Sequence, residues 1–271
     1  MPMHSQVFSQ IGEAAHALSS NRSSRYFGGG TLVMRQVNAG NQSFDTIIRS
    51  TDPSLKQVQI SGDQVIIGAS VTMSQVIASR DLDFLKSAAS VIGGPAIRNM
   101  ATVGGNLFAR SPYGDFTTAL LALEATVALS GGRSDVPIAD FLAQRFREPK
   151  PLVISVSVPR PRDGNAFRFL KIMRVKPMGV SLMTIAAHLP QSGGRLANPR
   201  VAYGSMGDTP IRANAVERAL EGKTLDAQGI APALAVATEG ITPRTDSIAS
   251  EWYRREVAPA HLERLLLGTG G

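Results

Sequence analysis

Two short stretches carry glycine at a density that calls for a reason. "YFGGGT" runs from Tyr26 to Thr31, and "GGPAIRNMATVGGNLFARSPYGD" runs from Gly93 to Asp115. Backbone without side chains can bring its N–H groups within hydrogen-bonding distance of phosphate oxygens. Two such loops facing each other can hold a pyrophosphate from both sides, and a helix beginning after one of them adds its positive dipole end. The dinucleotide fingerprint G-x-G-x-x-G is absent: "GGGT" leads into the apolar "LVM", and "VGGNLF" lacks a third glycine at the right offset. No Walker A lysine follows either stretch. Taken singly, each is equally readable as a tight turn. What distinguishes the second is the company of Asn106, Ser111 and Asp115. Asp115 opens a predicted helix, where a carboxylate serves either as a simple cap or as an acceptor for the hydroxyls of a ribityl or ribose chain.

Composition excludes several other chemistries. The chain of 271 residues has no cysteine, so disulfides, thiolate-bound zinc and cysteine-ligated iron–sulfur clusters are ruled out within it. His4, His16, His188 and His261 are scattered without metal-ligand spacing, so no metal site is expected. Redox chemistry here therefore needs an organic cofactor, with any metal centre in another chain. The net charge of +7 is spread evenly, with 14 basic and 11 acidic residues up to Arg160 and 14 against 10 after it. No basic run forms a nucleic-acid stripe, and Trp252 alone offers little on which to stack bases. A solvated basic surface, or one that docks an acidic partner subunit, accounts for the charge. No apolar run is long enough to span a bilayer. The opening "MPMHSQVFSQIGEAAHAL" has no basic segment followed by an apolar one, which predicts a cytoplasmic protein without a signal peptide.

The elements that must position the two loops follow from periodicity. Ile11, Ala14, Ala15 and Leu18 recur at helical spacing, with Ser9 as the expected N-cap. "SRYFGGGTLVM" reads as a strand entering a glycine turn, and "DTIIRS" and "QVQISGDQVIIGAS" as short strands. "TMSQVIASRDLDFLKSAASVI" carries two helical stretches, the first capped by Thr72 or Ser74. A helix from Asp115 gives way to a strand over Ala125–Leu129. In "PLVISVSVPR" the alternation predicts Leu152, Ile154, Val156 and Val158 on one face, against Val153, Ser155 and Ser157 on the other. Two further strands, in "GVSLMTIAAHLP" and "NPRVAYGSMG", precede three helices from Ile211 onward. Glu124 and Asp140 read as surface or capping residues. Strands followed by helices give an α+β class rather than a regular βαβ array.

Read together, these stretches resemble one family along nearly the whole chain. "IRNMATVGGNLFARSPYGDFTTALLALEATVAL" is similar to the second FAD loop of the flavoprotein (medium) subunits of molybdenum hydroxylases, such as carbon monoxide dehydrogenase and bacterial xanthine dehydrogenase. Their pattern is roughly I-R-N-x-A-T-I-G-G-N-L, then S-P-x-x-D, then A-L-L-A-L-x-A. "YFGGGT" resembles their A-G-G-T loop, "VIIGASVTMSQV" their I-G-A-x-x-T stretch, and "RVAYGSMGDTPIRANAVERALEG" and "ASEWYRREV" their C-terminal motifs.

The resemblance implies a two-part FAD-binding domain of the PCMH type over residues 1–161, with subdomains of about 1–58 and 59–161, and a smaller C-terminal α/β domain over 162–271. It implies FAD held by Arg25, Tyr26, Phe27, Gly28, Gly29, Gly30, Thr31 and Leu32 of the first loop, with the glycines and Thr31 at the pyrophosphate. From the second loop come Thr102, Val103, Gly104, Gly105 and Asn106. Asp115 would bind FAD hydroxyls, and Ile92 and Val153 would supply apolar contacts to flavin or adenine. Lys171, in "FRFLKIMR", falls at a basic position beside the isoalloxazine; an exposed strand lysine is the other reading. FAD is expected to be noncovalent, because His16 and His188 lie outside both loops. The sequence departs from the family in a third glycine, Gly28, in the apolar Leu32, and in Met178 and Gly179, where an acidic residue often follows the lysine.

The implied role is electron transfer. A large subunit would carry the molybdenum cofactor and a small subunit the [2Fe-2S] clusters, within an (αβγ)2 assembly, and no catalytic acid, base or nucleophile is expected here. A free-standing FAD-dependent oxidoreductase and a flavin-free structural subunit are the alternatives.

Overall fold

The computed structural model describes residues 3–176 and 179–269. Its first part runs β1 (His4–Phe8), α1 (Ile11–Ser20), β2 (Ser24–Tyr26), α2 (Val33–Asn38), β3 (Thr46–Ser50), β4 (Val58–Ser61), β5 (Gln64–Gly68) and α3 (Met73–Ala78). There follow α4 (Lys86–Ser90), α5 (Pro95–Arg98), α6 (Val103–Leu107), α7 (Asp115–Ala122), β6 (Thr126–Leu129), β7 (Arg133–Pro137), α8 (Ile138–Gln144) and β8 (Val153–Pro159). The last part is β9 (Phe167–Met173), β10 (Ser181–His188), the short pair β11 (Gln191–Ser192) and β12 (Arg195–Leu196), β13 (Arg200–Gly204), β14 (Ile211–Arg212), α9 (Asn214–Leu220), α10 (Ala227–Ala235) and α11 (Glu251–Leu267).

The chain forms two compact units: one of Met1–Asp83, Gly93–Ala109 and Glu124–Pro159, the other of Phe84–Ile92, Arg110–Leu123 and Arg160–Gly271. In the first unit, β1, β3 and β2 make a small parallel sheet, and β4-β5-β8-β6-β7 an antiparallel one. In the second, β14-β13-β10-β9 is antiparallel. Met183, Ile185 and Ala187 of β10 and Val201 and Tyr203 of β13 share its core with Val216, Ile230, Ala258, Leu262 and Leu266 of the three C-terminal helices.

Local signals account for most boundaries. Thr72 caps α3 and Gln75 returns the bond, a complete capping box. Ser250 caps α11, and Gly268 ends it in the left-handed conformation with φ 71°. Glu124, exposed just past α7, also has a positive φ, 52°.

Three expectations need correction, and one strand is added. The N-cap of α1 is Gln10, not Ser9, and its side chain makes no cap; Asp52, brought alongside by tertiary structure, takes the Ile11 N–H instead at 3.1 Å. The strand β1 was not anticipated, because "HSQVF" is almost wholly exposed and shows no buried alternation. "LVM" enters the helix α2 rather than continuing a turn. In β8 the register against β6 shifts at Ile154, so Val153 is buried and Ile154 only half-buried. An extra residue in one strand resets which face its neighbours occupy.

Candidate functional site

The two glycine loops lie against each other in the first unit. The first leaves β2 at Tyr26; Phe27 stays tied to the sheet through its N–H to Ile48 O at 2.7 Å. Each of the three following glycines is glycine for its own reason. A β-carbon on Gly28 would stand 3.0 Å from Thr102 Oγ1, and one on Gly29 only 1.6 Å from the Met100 carbonyl oxygen. Gly30 has φ +72° and carries the Phe27 ring where a side chain would be. The loop thus rests bare backbone on the second loop.

The hydrogen-bonding of the two loops differs. Among the described residues no acceptor takes the N–H of Gly28, Gly29, Gly30 or Thr31. Four consecutive unpaired donors leading into α2 fit an anionic group. The second loop has spent its donors: Val103 N–H goes to Val71 O, Gly104 to Ala69 O, Gly105 to Thr102 Oγ1 and Asn106 to Thr102 O, all at 2.9–3.0 Å. Gly104 is glycine because a β-carbon there would lie 2.8 Å from Ala69 Cβ, and at Gly105 one would lie 2.9 Å from Thr102 Oγ1. The second loop is therefore a platform locked to the sheet, and the first presents the free N–H groups. Buried Asn106 has its own partner.

The flanking residues sort around this platform. Arg25 donates to Ser24 O at 2.9 Å and stands over the Phe44 ring at 5.3 Å. Burial pushes the Tyr26 phenol above its ordinary value. Leu32 is half-buried at the start of α2. Val153, 3% exposed, opens β8, the strand against which α6 packs. Its neighbour Ile154 accepts the Ala69 N–H at 2.8 Å. One contributor had no signal in the sequence: Lys150 donates to the carbonyls of Asn21, Arg22 and Ser24 at 2.7–3.1 Å, fixing the approach to β2. Its ammonium is pushed down by burial and by the nearby Arg25 charge.

The second unit holds the other group of expected residues. Gly114 turns the chain with φ 98° and places Asp115 at the first position of α7, where the helix dipole favours a carboxylate. Asp115 is buried. Lys171 Nζ lies 3.0 Å from its Oδ2, with both side chains at most 7% exposed, so the reading of Lys171 as an exposed strand lysine is excluded. The same ammonium donates to Val91 O at 3.0 Å, beside half-buried Ile92. Ser181 and Thr184 each donate a hydroxyl to Asp115 Oδ1 at 2.5 Å.

Neither hydroxyl was foreseen, because residues three apart in a strand face opposite sides. The ladder explains the outcome. Ser181 pairs with Met173 and Met183 with Ile172, leaving Leu182 as an extra residue. Beyond this bulge Thr184 pairs with Lys171, so Ser181, Thr184 and Lys171 share one face. Gly204, opposite Thr184, makes room for Thr118 of α7, whose Oγ1 lies 2.4 Å from where a β-carbon would be. Gly179 packs on the Val175 carbonyl, while Met178 lies outside the described residues.

Among the described residues no cluster of metal-ligating side chains occurs, and no helix is long and apolar enough to cross a membrane.

Comparison with known proteins bears on both units. Residues 3–161 match the family "FAD binding domain in molybdopterin dehydrogenase", and residues 168–269 match "CO dehydrogenase flavoprotein C-terminal domain". The chain is 30% identical to the glyceraldehyde dehydrogenase medium chain of Sulfolobus acidocaldarius, across 90% of each. It is 27% identical to the xanthine dehydrogenase FAD-binding subunit of Escherichia coli O157:H7, across 90% of this chain and 88% of that one. The fold superposes on carbon monoxide dehydrogenase from Hydrogenophaga pseudoflava with a TM-score of 0.89 at 24% identity, covering 98% of this chain and 96% of that one. Matching the first family over more than half its length, with a relative at 30% identity along 90% of it, the chain belongs to the family of FAD-binding medium subunits of the molybdopterin dehydrogenases.

Proposed function

We propose that this chain binds FAD noncovalently and acts as the electron-transfer subunit of a multi-subunit molybdenum-containing hydroxylase or dehydrogenase. In this reading a large subunit carries the molybdenum cofactor and a small subunit the [2Fe-2S] clusters. Electrons reach an external acceptor by way of this chain, within an (αβγ)2 assembly in the cytoplasm. When bound, FAD supplies the redox chemistry; the chain supplies binding, orientation and electrostatics. The absence of cysteine accords with clusters held by another chain. The FAD-binding domain is taken as residues 1–161 and the C-terminal domain as 162–271.

The observation that carries this reading is the run of four backbone N–H groups at Gly28–Thr31 without acceptors among the described residues. They are suited to the pyrophosphate, on a platform formed by Thr102–Asn106. Arg25, Tyr26, Phe27 and Leu32 border the loop, and Val153 and Ile92 supply apolar surface to their own units. Asp115 already accepts three hydrogen bonds from within the chain. A carboxylate has about four acceptor positions, so Oδ2 keeps room for one cofactor hydroxyl. Lys171 holds that oxygen in place and sets positive charge beside it.

The test is a titration of the purified chain with FAD, followed by acid precipitation. One FAD should bind per chain and all of it should appear in the supernatant. Flavin retained by the precipitate would refute noncovalent binding, and failure to bind FAD would favour a flavin-free structural subunit.

A further inference from the structure

Arg254 is fully buried in α11, a position that apolar packing alone would fill with an apolar residue. A buried guanidinium is tolerated only when its donors are satisfied, and here all five N–H groups have acceptors. Nη2 donates to both carboxylate oxygens of Asp246 at 3.0 and 2.9 Å. Nη1 donates to the carbonyls of Arg244 and Ala249. Nε reaches away from this group to the carbonyl of Leu182 at 3.0 Å.

Leu182 is the extra residue of the β10 bulge. Among the described residues it has no partner in either neighbouring strand, β9 or β13. A bulge leaves its residue outside the ladder and re-aims the side chains on either side. Those side chains are Ser181 and Thr184, the two hydroxyl donors to Asp115. In a regular strand they would face opposite sides, and Asp115 would lose one of them.

We propose that Arg254 is a positioning residue for the Asp115–Lys171 site, acting through the bulge at Leu182. Its guanidinium anchors the unladdered carbonyl against the 244–249 segment. This holds Ser181 and Thr184 on the Asp115 face and fixes the free edge of the carboxylate. The inference rests on the reading of Asp115 and Lys171 as part of the FAD site.

The experiment compares Arg254→Lys, Ser181→Ala, their double variant and Asp115→Asn in the full chain. It measures the FAD dissociation constant, the visible circular dichroism of bound flavin, and Tm. Losing a hydrogen bond to a charged group weakens binding by roughly tenfold or more. Ser181→Ala and Arg254→Lys should each show that loss with an altered flavin spectrum, and the double variant should be no worse than the weaker single. If Arg254→Lys lowers Tm but leaves affinity and spectrum as in the parent, Arg254 is merely structural and the proposal is overturned. Fully additive effects overturn it too. If Asp115→Asn is silent in both flavin readouts, the reading of the site itself fails, and the inference falls with it by a separate route. Should Arg254→Lys not fold, Asp246→Asn loosens the same guanidinium from its far side. A smaller loss of affinity with the same spectral change is then expected, and parent-like flavin properties would overturn the proposal.

Discussion

A β-carbon on Gly29 would stand 1.6 Å from the carbonyl oxygen of Met100. The obstacle is backbone, so no rotamer change relieves it, and the two glycine loops must separate if residue 29 gains a side chain. Gly29→Ala should therefore cost about 3 kcal/mol, the upper end for overpacking. It should also abolish FAD binding while circular dichroism still reports folded protein. Retention of parent-like Tm and FAD affinity would show that the loops are not in register as described.

Gly104→Val acts differently. Its side chain would meet Ala69, not a ligand, because the Cβ position is 2.8 Å from Ala69 Cβ. The substitution should lower the Tm of the apoprotein, by roughly 2–4 °C per kcal/mol for a chain of this size. A variant stable as apoprotein but unable to bind FAD would mean that Gly104 faces the cofactor.

What the sequence disclosed and what it hid divide along physical lines. Both glycine stretches, a cap at Thr72 (offered beside Ser74) and the run of C-terminal helices depend on local spacing and were legible. The resemblance singled out Asp115 and Lys171, although nothing local showed that the two pair with each other. Ser181 and Thr184 were hidden, since the bulge that aligns them sits in "SLMTIAA", where no polar marker betrays an extra residue. Lys150 was hidden for a similar reason: its three acceptors are backbone carbonyls 126–129 residues away. The direction of the N–H groups was beyond composition altogether. Glycine-rich spacing looks the same whether its donors are spent on the sheet, as at Val103–Asn106, or left open, as at Gly28–Thr31.

Asp115→Asn and Lys171→Met each leave the other member of a buried ion pair uncompensated. Each should cost about 3–5 kcal/mol. The double variant should cost less than the sum, because the second change removes the charge stranded by the first. Denaturant unfolding of the four proteins checks this; strictly additive losses would mean that the pair does not interact.

Acid stability should report on Asp246. Burial acts to raise its carboxyl, but the N–H groups of Ile248 and Ala249 and the Arg254 guanidinium outweigh that and hold it below the ordinary carboxylate value. A folded-state value below the unfolded one stabilises the protein fully above the ordinary aspartate range, and the contribution is lost as pH falls through the folded value. Asp246→Asn should therefore be less stable than the parent at neutral pH, with the two unfolding curves converging in acid. A gap that stays constant down to the acid limit would assign the effect to packing.

The most direct measurement follows flavin absorbance under anaerobic conditions after substrate is added. The panel comprises aldehydes, purines and N-heterocycles, tested first on the FAD-loaded chain alone and then on the complex with its large and small subunits. The account predicts no bleaching by the chain alone and rapid bleaching in the complex with the substrate its large subunit accepts. Bleaching by the isolated chain would contradict the electron-transfer role and identify a free-standing flavoenzyme.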